Sequence, residues 1–201
     1  MAAGDITTTL VARIRTYLDE ASAGFWTQDE IYKALTDGQR EVISFVLAIY
    51  KQKIAVNPDE KLPEVLRSCF YTTGGVGSGV LPAGFLFPLS VYTSTVPVYI
   101  RPDGIQRGAS KLNTYLTSSS TQPFCSFSGT QIVFETSVTW TMEYLSLPLN
   151  DIDATHDPAL SAISYNAIIE YATAFLLNKD ENQRAQQHLS KFFNEVQNLS
   201  F

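Results

Sequence analysis

The stretch Trp26-Thr27-Gln28-Asp29-Glu30-Ile31 carries the start signals of a helix. Thr27 is a favoured N-cap because its hydroxyl can accept a hydrogen bond from an unpaired backbone N–H of the first turn. Glu30 stands three residues on and can reach back to the Thr27 backbone, which completes a capping box. Trp26 and Ile31 have the spacing of a hydrophobic staple across that cap. The sequence therefore predicts a helix that starts at this stretch.

The predicted helix runs to Ala55, since the next proline is Pro58. From Val42 to Tyr50 all residues but one are apolar, which predicts burial on several faces. Either other helices of this chain or neighbouring copies must cover those faces. Gly38 costs about 1 kcal/mol relative to alanine inside a helix, and the close approach of another helix would justify that cost. Trp26 and Gly38 are therefore predicted helix-packing positions.

The composition is that of a folded chain with few charges. Hydrophobic residues make up 45% and charged residues 17% of the 201 positions, against about 25% charged residues in a typical domain. This content argues against disorder and is compatible with a surface that is partly hidden in contacts with other chains. The net charge of −6 and the lack of basic clusters argue against tight binding to a nucleic-acid backbone.

The cysteines and the N-terminus indicate where the protein is used. Cys69 and Cys125 are the only cysteines, so the sequence predicts two buried free thiols in a reducing compartment. Met1–Asp5 has neither the basic region nor the apolar core of a signal peptide. No apolar run approaches the roughly eighteen residues of a membrane span. We therefore expect a protein used in cytoplasm or carried in a particle assembled there.

Apolar spacing predicts two helices at each end of the chain. The first covers Thr8–Ala21 and precedes the long helix. The third begins where Asp157 can act as the N-cap and Pro158 can take the first helical position. The fourth follows a break at Asn178 and can be capped by Asp180.

A β-rich insertion over residues 71–149 separates the two pairs of helices. Ser128-Gly129 is a candidate two-residue hairpin turn, and Val138–Tyr144 alternates apolar and polar residues as a half-buried strand does. The expected fold class is α+β, mainly a helical bundle with an inserted antiparallel β subdomain. We expect one domain over residues 1–201, with its helical core in 5–70 and 150–200.

A glycine-rich stretch opens the insertion and is predicted to be a flexible loop. It lacks the Gly-Lys-Ser/Thr ending with which a phosphate-binding loop cradles its ligand, so phosphate binding is not expected. A later segment, Asp103–Leu116, has the apolar spacing of a short helix. The four glycines assigned to the flexible loop are Gly74, Gly75, Gly77 and Gly79.

Residues with catalytic or metal-binding chemistry are few. His188 lies among polar residues, and we expect a solvated histidine on a polar helix face. Asp151–Asp157 contains three aspartates and His156, the most metal-like cluster of the chain. It lacks the pattern of a calcium loop, so we interpret it as a loop with a helix cap. No enzyme signature is present, and neither catalysis nor a cofactor or metal is expected.

Several motifs, taken in order, resemble the head–tail adaptor (connector) proteins of tailed bacteriophages. Leu81-Pro82-Ala83-Gly84-Phe85 is similar to the Leu-Pro-x-Asp-Phe element of many adaptors, with Gly84 in place of the acidic residue. Pro123–Ile132 is similar to their Pro-x-aromatic hairpin around a glycine. The other matching segments are Trp26–Ile31, Leu35–Val42, Glu143–Pro148, Tyr165–Leu177 and Asp180-Glu181 with the helix that follows.

The resemblance implies a structural virion protein that is assembled in the host cytoplasm. It implies a homo-oligomeric ring, commonly of twelve copies, which sits below the portal protein and joins the capsid to the tail. The lower face of the ring would meet a downstream tail protein or second ring. DNA would pass through the lumen without sequence-specific binding, and the acidic net charge suggests a wall along which DNA slides.

In such families the C-terminal segment often docks onto the portal. The corresponding apolar residues here are Phe192, Phe193, Leu199 and Phe201. Packing on the chain's own bundle is an equal alternative for Phe192 and Phe193, whereas a partner is favoured for Leu199 and Phe201. The alternative function is a small-molecule-binding or enzymatic α+β domain, which would need a pocket with convergent polar groups.

Overall fold

The computed structural model describes residues 4–20, 24–100, 123–178 and 182–199. In these ranges, no helix is both long and apolar enough to cross a membrane. The helices lie in the two end regions of the chain and the strands lie between them, as expected for the α+β class. Their bounds are α1 Asp5–Tyr17, α2 Gln28–Val56, a 3-10 helix at Glu64–Cys69, a second at Ala162–Ser164, α3 Tyr165–Leu177 and α4 Asn182–Leu199.

Helix α2 begins as its sequence predicts. The Glu30 backbone N–H donates to the Thr27 hydroxyl at 3.3 Å, and the Thr27 N–H donates to the Glu30 carboxylate at 3.0 Å. Both halves of the capping box are therefore present. Trp26 and Ile31, on either side of the cap, are buried. The helix ends at Val56, one residue beyond the predicted end.

Helix α1 lies three residues earlier than predicted and ends before the expected stop. It starts at Asp5, after Gly4 with φ of 87°, rather than at Thr8. It ends at Tyr17, and two residues later Asp19 adopts a left-handed φ of 58°. The earlier start follows from a cap that is remote in sequence, since the Asp157 carboxylate accepts hydrogen bonds from the first turn of α1.

The prediction that Asp157 and Pro158 start α3 is wrong. α3 begins at Tyr165, and the Asp157 carboxylate is engaged by α1 instead. The backbone after Pro158 is held by α2, because the buried Gln39 side chain accepts hydrogen bonds from the Ala159 N–H at 2.7 Å and the Leu160 N–H at 3.4 Å. Contacts from two other helices therefore keep this segment out of a helix.

The chain divides into two compact units, a helical unit of residues 1–69 with 148–201 and a β unit of residues 70–147. In the helical unit, α3 contacts α1, α2 and α4. Helix α3 approaches α2 closely at Gly38, where an added Cβ would lie 2.9 Å from the Ile168 carbonyl oxygen. The predicted helix contact at Gly38 is therefore present, and α3 of the same chain provides it.

The described residues of the β unit form two sheets. The three-stranded sheet has the order β1-β7-β3 and the four-stranded sheet the order β2-β6-β5-β4. All pairs are antiparallel except the two-residue pair β4–β5, which is parallel. The strands are β1 Phe70–Val76, β2 Gly79–Val80, β3 Phe85–Tyr92, β4 Tyr99–Ile100, β5 Phe124–Ser128, β6 Gln131–Phe134 and β7 Thr139–Ser146.

Strand β7 and the β5–β6 hairpin follow the predicted pattern with one shift. Trp140, Met142 and Tyr144 are buried on one face of β7, as the alternation predicts. The hairpin turn lies at 129–130 rather than at Ser128-Gly129, because Ser128 still pairs with Gln131 and Gly129 supplies the positive φ of 57°. The helix predicted over Asp103–Leu116 lies outside the described residues.

The prediction of a flexible loop over Gly74–Gly79 is wrong for its first glycines. Gly74 and Gly75 belong to β1 and pair with Thr141 and Trp140 of β7. An added Cβ would lie 2.9 Å from the Trp140 carbonyl oxygen at Gly74 and 3.0 Å from the Trp140 ring at Gly75. Glycine is therefore required here by the close packing of Trp140, not by loop formation.

The remaining two glycines of the stretch have different roles. Gly77 has a φ of 63° in the turn after β1, a conformation that favours glycine. Its carbonyl oxygen accepts a hydrogen bond from the Trp140 indole N–H at 2.7 Å. Gly79 is the first residue of β2 and pairs with Ile132. The indole thus anchors the β1–β2 connection to β7.

Candidate functional site

The aromatic residues near the end of α4, Phe192 and Phe193, both contact Phe45 of α2. Phe192 is fully buried, with its ring centroid 5.2 Å from that of Tyr171 and 5.7 Å from that of Phe45. Phe193 is 44% exposed and Phe45 is 37% exposed, and their rings meet edge to face at 5.3 Å. We call Phe45 and Phe193 the aromatic patch. Two large rings in contact, each more than one-third exposed, form a small apolar surface.

The four residues predicted as portal or neighbour contacts therefore differ in their exposure. Phe192 belongs to the chain's own core, which decides the alternative left open by the sequence. Phe193 remains at the surface and available to a partner. Leu199 is half-buried at the last position of α4. Phe201 lies outside the described residues.

The apolar surface continues along α2 beyond the aromatic patch. Ile49 is half-buried one turn after Phe45, and Val56 is 88% exposed at the end of the helix. A groove of about 480 Å³ lies beside this end of α2, between Ile49, Val56 and the turn that contains Asn57 and Glu60. Helical spacing places these apolar side chains along one side of α2. Sequence periodicity alone could not show which side of so apolar a helix is left uncovered.

A polar cleft of about 390 Å³ lies between the first half of α2 and the segment after residue 150. The Arg40 guanidinium crosses it and binds Asp151 at 2.8 Å and Asp37 at 3.8 Å. The Ile152 backbone N–H donates to the Thr36 hydroxyl at 2.9 Å, and this bond is buried. An ion pair and a buried hydrogen bond thus join the two sides of the cleft.

The metal-like cluster predicted at Asp151–Asp157 is used for separate structural contacts. Asp153 accepts hydrogen bonds from the His156 side chain and from Thr155, and these bonds hold the pKa of Asp153 below its ordinary value. Asp157 caps α1, while Asp151 binds Arg40. Among the residues that the structure describes, no three potential ligands come together to hold a metal ion.

Burial opposes ionisation of the Asp157 carboxyl, but hydrogen bonds outweigh it. The Thr7 N–H and hydroxyl donate to Oδ1 at 2.8 and 3.0 Å, and the Gly4 N–H donates to Oδ2 at 3.2 Å. These donors favour the charged form, so the pKa of Asp157 is lowered. The positive end of the α1 dipole lies at the same place. The role is that of an N-cap supplied from another segment.

The prediction of a solvated His188 is wrong. His188 is buried, and its Nδ1 lies 2.5 Å from Oε2 of Glu170 on α3. The ring also contacts Tyr17 of α1 at 5.5 Å between centroids. Glu170 carried the missed signal, because a carboxylate inside the apolar run Ala167–Leu177 requires a buried partner. Sequence spacing did not identify which residue of α4 provides it.

Both cysteines are buried, as predicted. Cys69 lies in the helical unit and Cys125 in the β unit, and neither forms a disulfide. Burial raises the pKa of the Cys69 thiol to about 11 and that of the Cys125 thiol to about 12. A thiol with such a pKa is protonated at neutral pH and is a poor nucleophile. Their role is in packing.

Comparison with known proteins adds no family assignment: no protein-family model matches the chain, and no curated protein matches it either. The candidate site therefore depends on geometry. His156, His188 and the carboxylates described above are engaged in contacts within the helical unit. Exposed apolar side chains lie at several places on this unit, and those on one side of α2 form a row: the aromatic patch is continued by Ile49 and Val56, which we call the α2 stripe. This surface is suited to binding another protein.

Proposed function

We propose that this chain is a structural subunit of the head–tail connector of a tailed bacteriophage. Copies assemble into a ring below the portal, and the ring joins capsid to tail. The ordered set of motifs that resembles adaptor proteins supports this proposal. The observation that carries it is the aromatic patch, because exposed aromatic rings on a packed helical unit favour burial against a protein partner.

A closed ring requires a heterologous contact, in which two different surfaces of the same chain meet. We propose that the aromatic patch and the α2 stripe provide one of these surfaces. The portal and a downstream tail protein bind the two ends of the ring. DNA passes through without being read, in keeping with the net charge of −6, which does not favour adhesion to phosphates.

The test uses two phenylalanines of equal exposure. Phe193 in the patch is 44% exposed, and Phe175 on α3 is 45% exposed. The variants Phe193→Ser and Phe175→Ser remove similar apolar area, so general surface effects are matched. We expect Phe193→Ser to abolish ring particles in electron micrographs, with or without the portal, and Phe175→Ser to leave them. Ring formation by Phe193→Ser at the wild-type level would contradict the proposed surface. Circular dichroism of both variants shows that each retains its helices.

A further inference from the structure

Strand β1 is an open edge of the three-stranded sheet. It pairs with β7 on one side, in continuous register from Phe70 with Leu145 to Val76 with Thr139. On its other side, no strand of the described residues is paired with it. An open edge presents a row of backbone N–H and C=O groups that can pair with a strand of another chain.

Strand β3, at the opposite edge of the same sheet, has features that hinder pairing with another strand. Strand β3 contains Pro88, which has no N–H to donate, and its register with β7 shifts between Phe85 and Phe87 and again between Pro88 and Ser90. Strand β1 has seven regular positions with neither a proline nor a charged side chain. Natural proteins use such features to block edge pairing. One edge of this sheet is blocked and the other is open.

The sequence of β1 is complementary to itself in one antiparallel register. With Thr73 opposite Thr73 of a second copy, Phe70 faces Val76 and Tyr71 faces Gly75. An aromatic residue opposite a β-branched residue and a threonine pair are both favourable cross-strand pairs. An aromatic ring over a strand glycine covers backbone that glycine leaves exposed. Since β1 has no charge, the self-pair brings no like charges together.

The exposure of the strand agrees with that register. Phe70 is 41% exposed and Val76 is 69% exposed, and both point to the same face of the sheet. The self-pair would bring Phe70 of each copy against Val76 of the other copy and remove apolar surface from water. The same pairing satisfies the outward N–H and C=O groups of both strands.

We propose that two copies of this chain pair through β1, antiparallel about a two-fold axis at Thr73. The two three-stranded sheets then form one continuous sheet with the order β3-β7-β1-β1-β7-β3. This contact is isologous, whereas the contacts of a closed ring are heterologous. It is therefore a separate property of the chain and does not depend on the proposed connector function.

A charge swap at the axis tests the register. Thr73→Lys and Thr73→Glu each place two like charges opposite one another, so each variant alone should dimerise at least about tenfold more weakly than the wild type. An equimolar mixture of the two variants should restore the dimer. Sedimentation velocity over about a hundredfold range of concentration measures all three. Thr139→Lys, at an exposed position on the central strand β7, is the control and should dimerise as the wild type does.

A second measurement covers the case in which the charged variants fail to fold. In the proposed register, Thr73→Cys places two thiols directly across the axis, within about 4.5–5.5 Å between Cβ atoms, so mild oxidation should link two chains. Thr139→Cys should link far more slowly. A wild type that stays monomeric over the whole range, no recovery on mixing two folded variants, or equal cross-linking at the two positions would overturn the proposal. Repeating the measurements with Phe193→Ser separates β1 pairing from ring assembly.

Discussion

Asp157 caps helix α1 through Thr7, a residue 150 positions away in the sequence. The Oδ1 atom accepts hydrogen bonds from the Thr7 N–H at 2.8 Å and from the Thr7 hydroxyl at 3.0 Å. The first turn of α1 has no side-chain cap of its own, because Gly4 occupies the N-cap position. The contact joins the start of the chain to the segment that leads into α3.

Loss of this cap should destabilise the helical unit. Asp157→Asn removes the negative charge at the start of α1 and weakens the hydrogen bonds from Thr7, so we expect a loss of about 1 kcal/mol in the free energy of unfolding. Asp157→Ala should cost more. Urea unfolding followed by circular dichroism at 222 nm measures both. Asp59→Asn, in the exposed turn after α2, is the control, and an equal loss there would contradict the remote cap.

The same cap predicts a pH dependence. The pKa of Asp157 is lowered in the folded protein, so its contribution to stability is fully present above the ordinary carboxyl pKa of about 3.9. That contribution is lost as the pH falls through the lower pKa of the folded state. The difference in unfolding free energy between wild type and Asp157→Asn should therefore be constant from about pH 7 to pH 5 and shrink below about pH 4. A difference that grows on acidification would exclude the proposed origin.

Gly38 is predicted to resist the substitution that usually strengthens a helix. Alanine would gain up to about 1 kcal/mol of helix propensity, but its Cβ would lie 2.9 Å from the Ile168 carbonyl oxygen. Backbone of α3 must then move, and we expect Gly38→Ala to destabilise the protein by about 1–3 kcal/mol. Ser44→Ala, at an exposed position of the same helix, should be neutral or slightly stabilising. Thermal unfolding measures the stability of both variants relative to the wild type, and a Gly38→Ala variant more stable than the wild type would refute the close contact.

The buried Glu170–His188 pair should contribute far more than its exposed counterpart. Glu170→Ala leaves His188 buried without its partner, and we expect a loss of about 3 kcal/mol. Replacing both residues by leucine should cost less than the sum of the single changes. In the exposed pair of Asp153 and His156, His156→Ala should cost below about 0.5 kcal/mol. Equal losses from the buried and exposed pairs in urea unfolding would contradict this difference.

The sequence predicts well the features that depend on neighbouring residues. The capping box of Thr27 and Glu30 lies within four positions, so both of its hydrogen bonds can be predicted from the local sequence alone. The alternation of β7 is also local, since one residue in two faces the core. Gly38 is an intermediate case: its cost in a helix predicts a close neighbour but does not name Ile168.

The features that the sequence misses depend on distant segments. Asp157 and Pro158 have the local pattern of a helix start, yet the carboxylate binds the first turn of α1. His188 is flanked by polar residues, yet its partner lies on α3. Gly74 lies in a glycine-rich stretch that is typical of a loop, yet Trp140 of another strand requires a residue without a side chain at this position. In each case a contact between remote positions overrides the local preference.

Electron microscopy of the purified protein, alone and mixed with its portal protein, tests the connector proposal most directly. The proposal predicts closed rings with a central channel, either in solution or on the portal, and a complex with the portal in sedimentation. The Phe193→Ser variant should form neither rings nor a stable complex with the portal. A wild-type protein that forms no ring in either sample, and that does not bind the portal, would contradict the proposal.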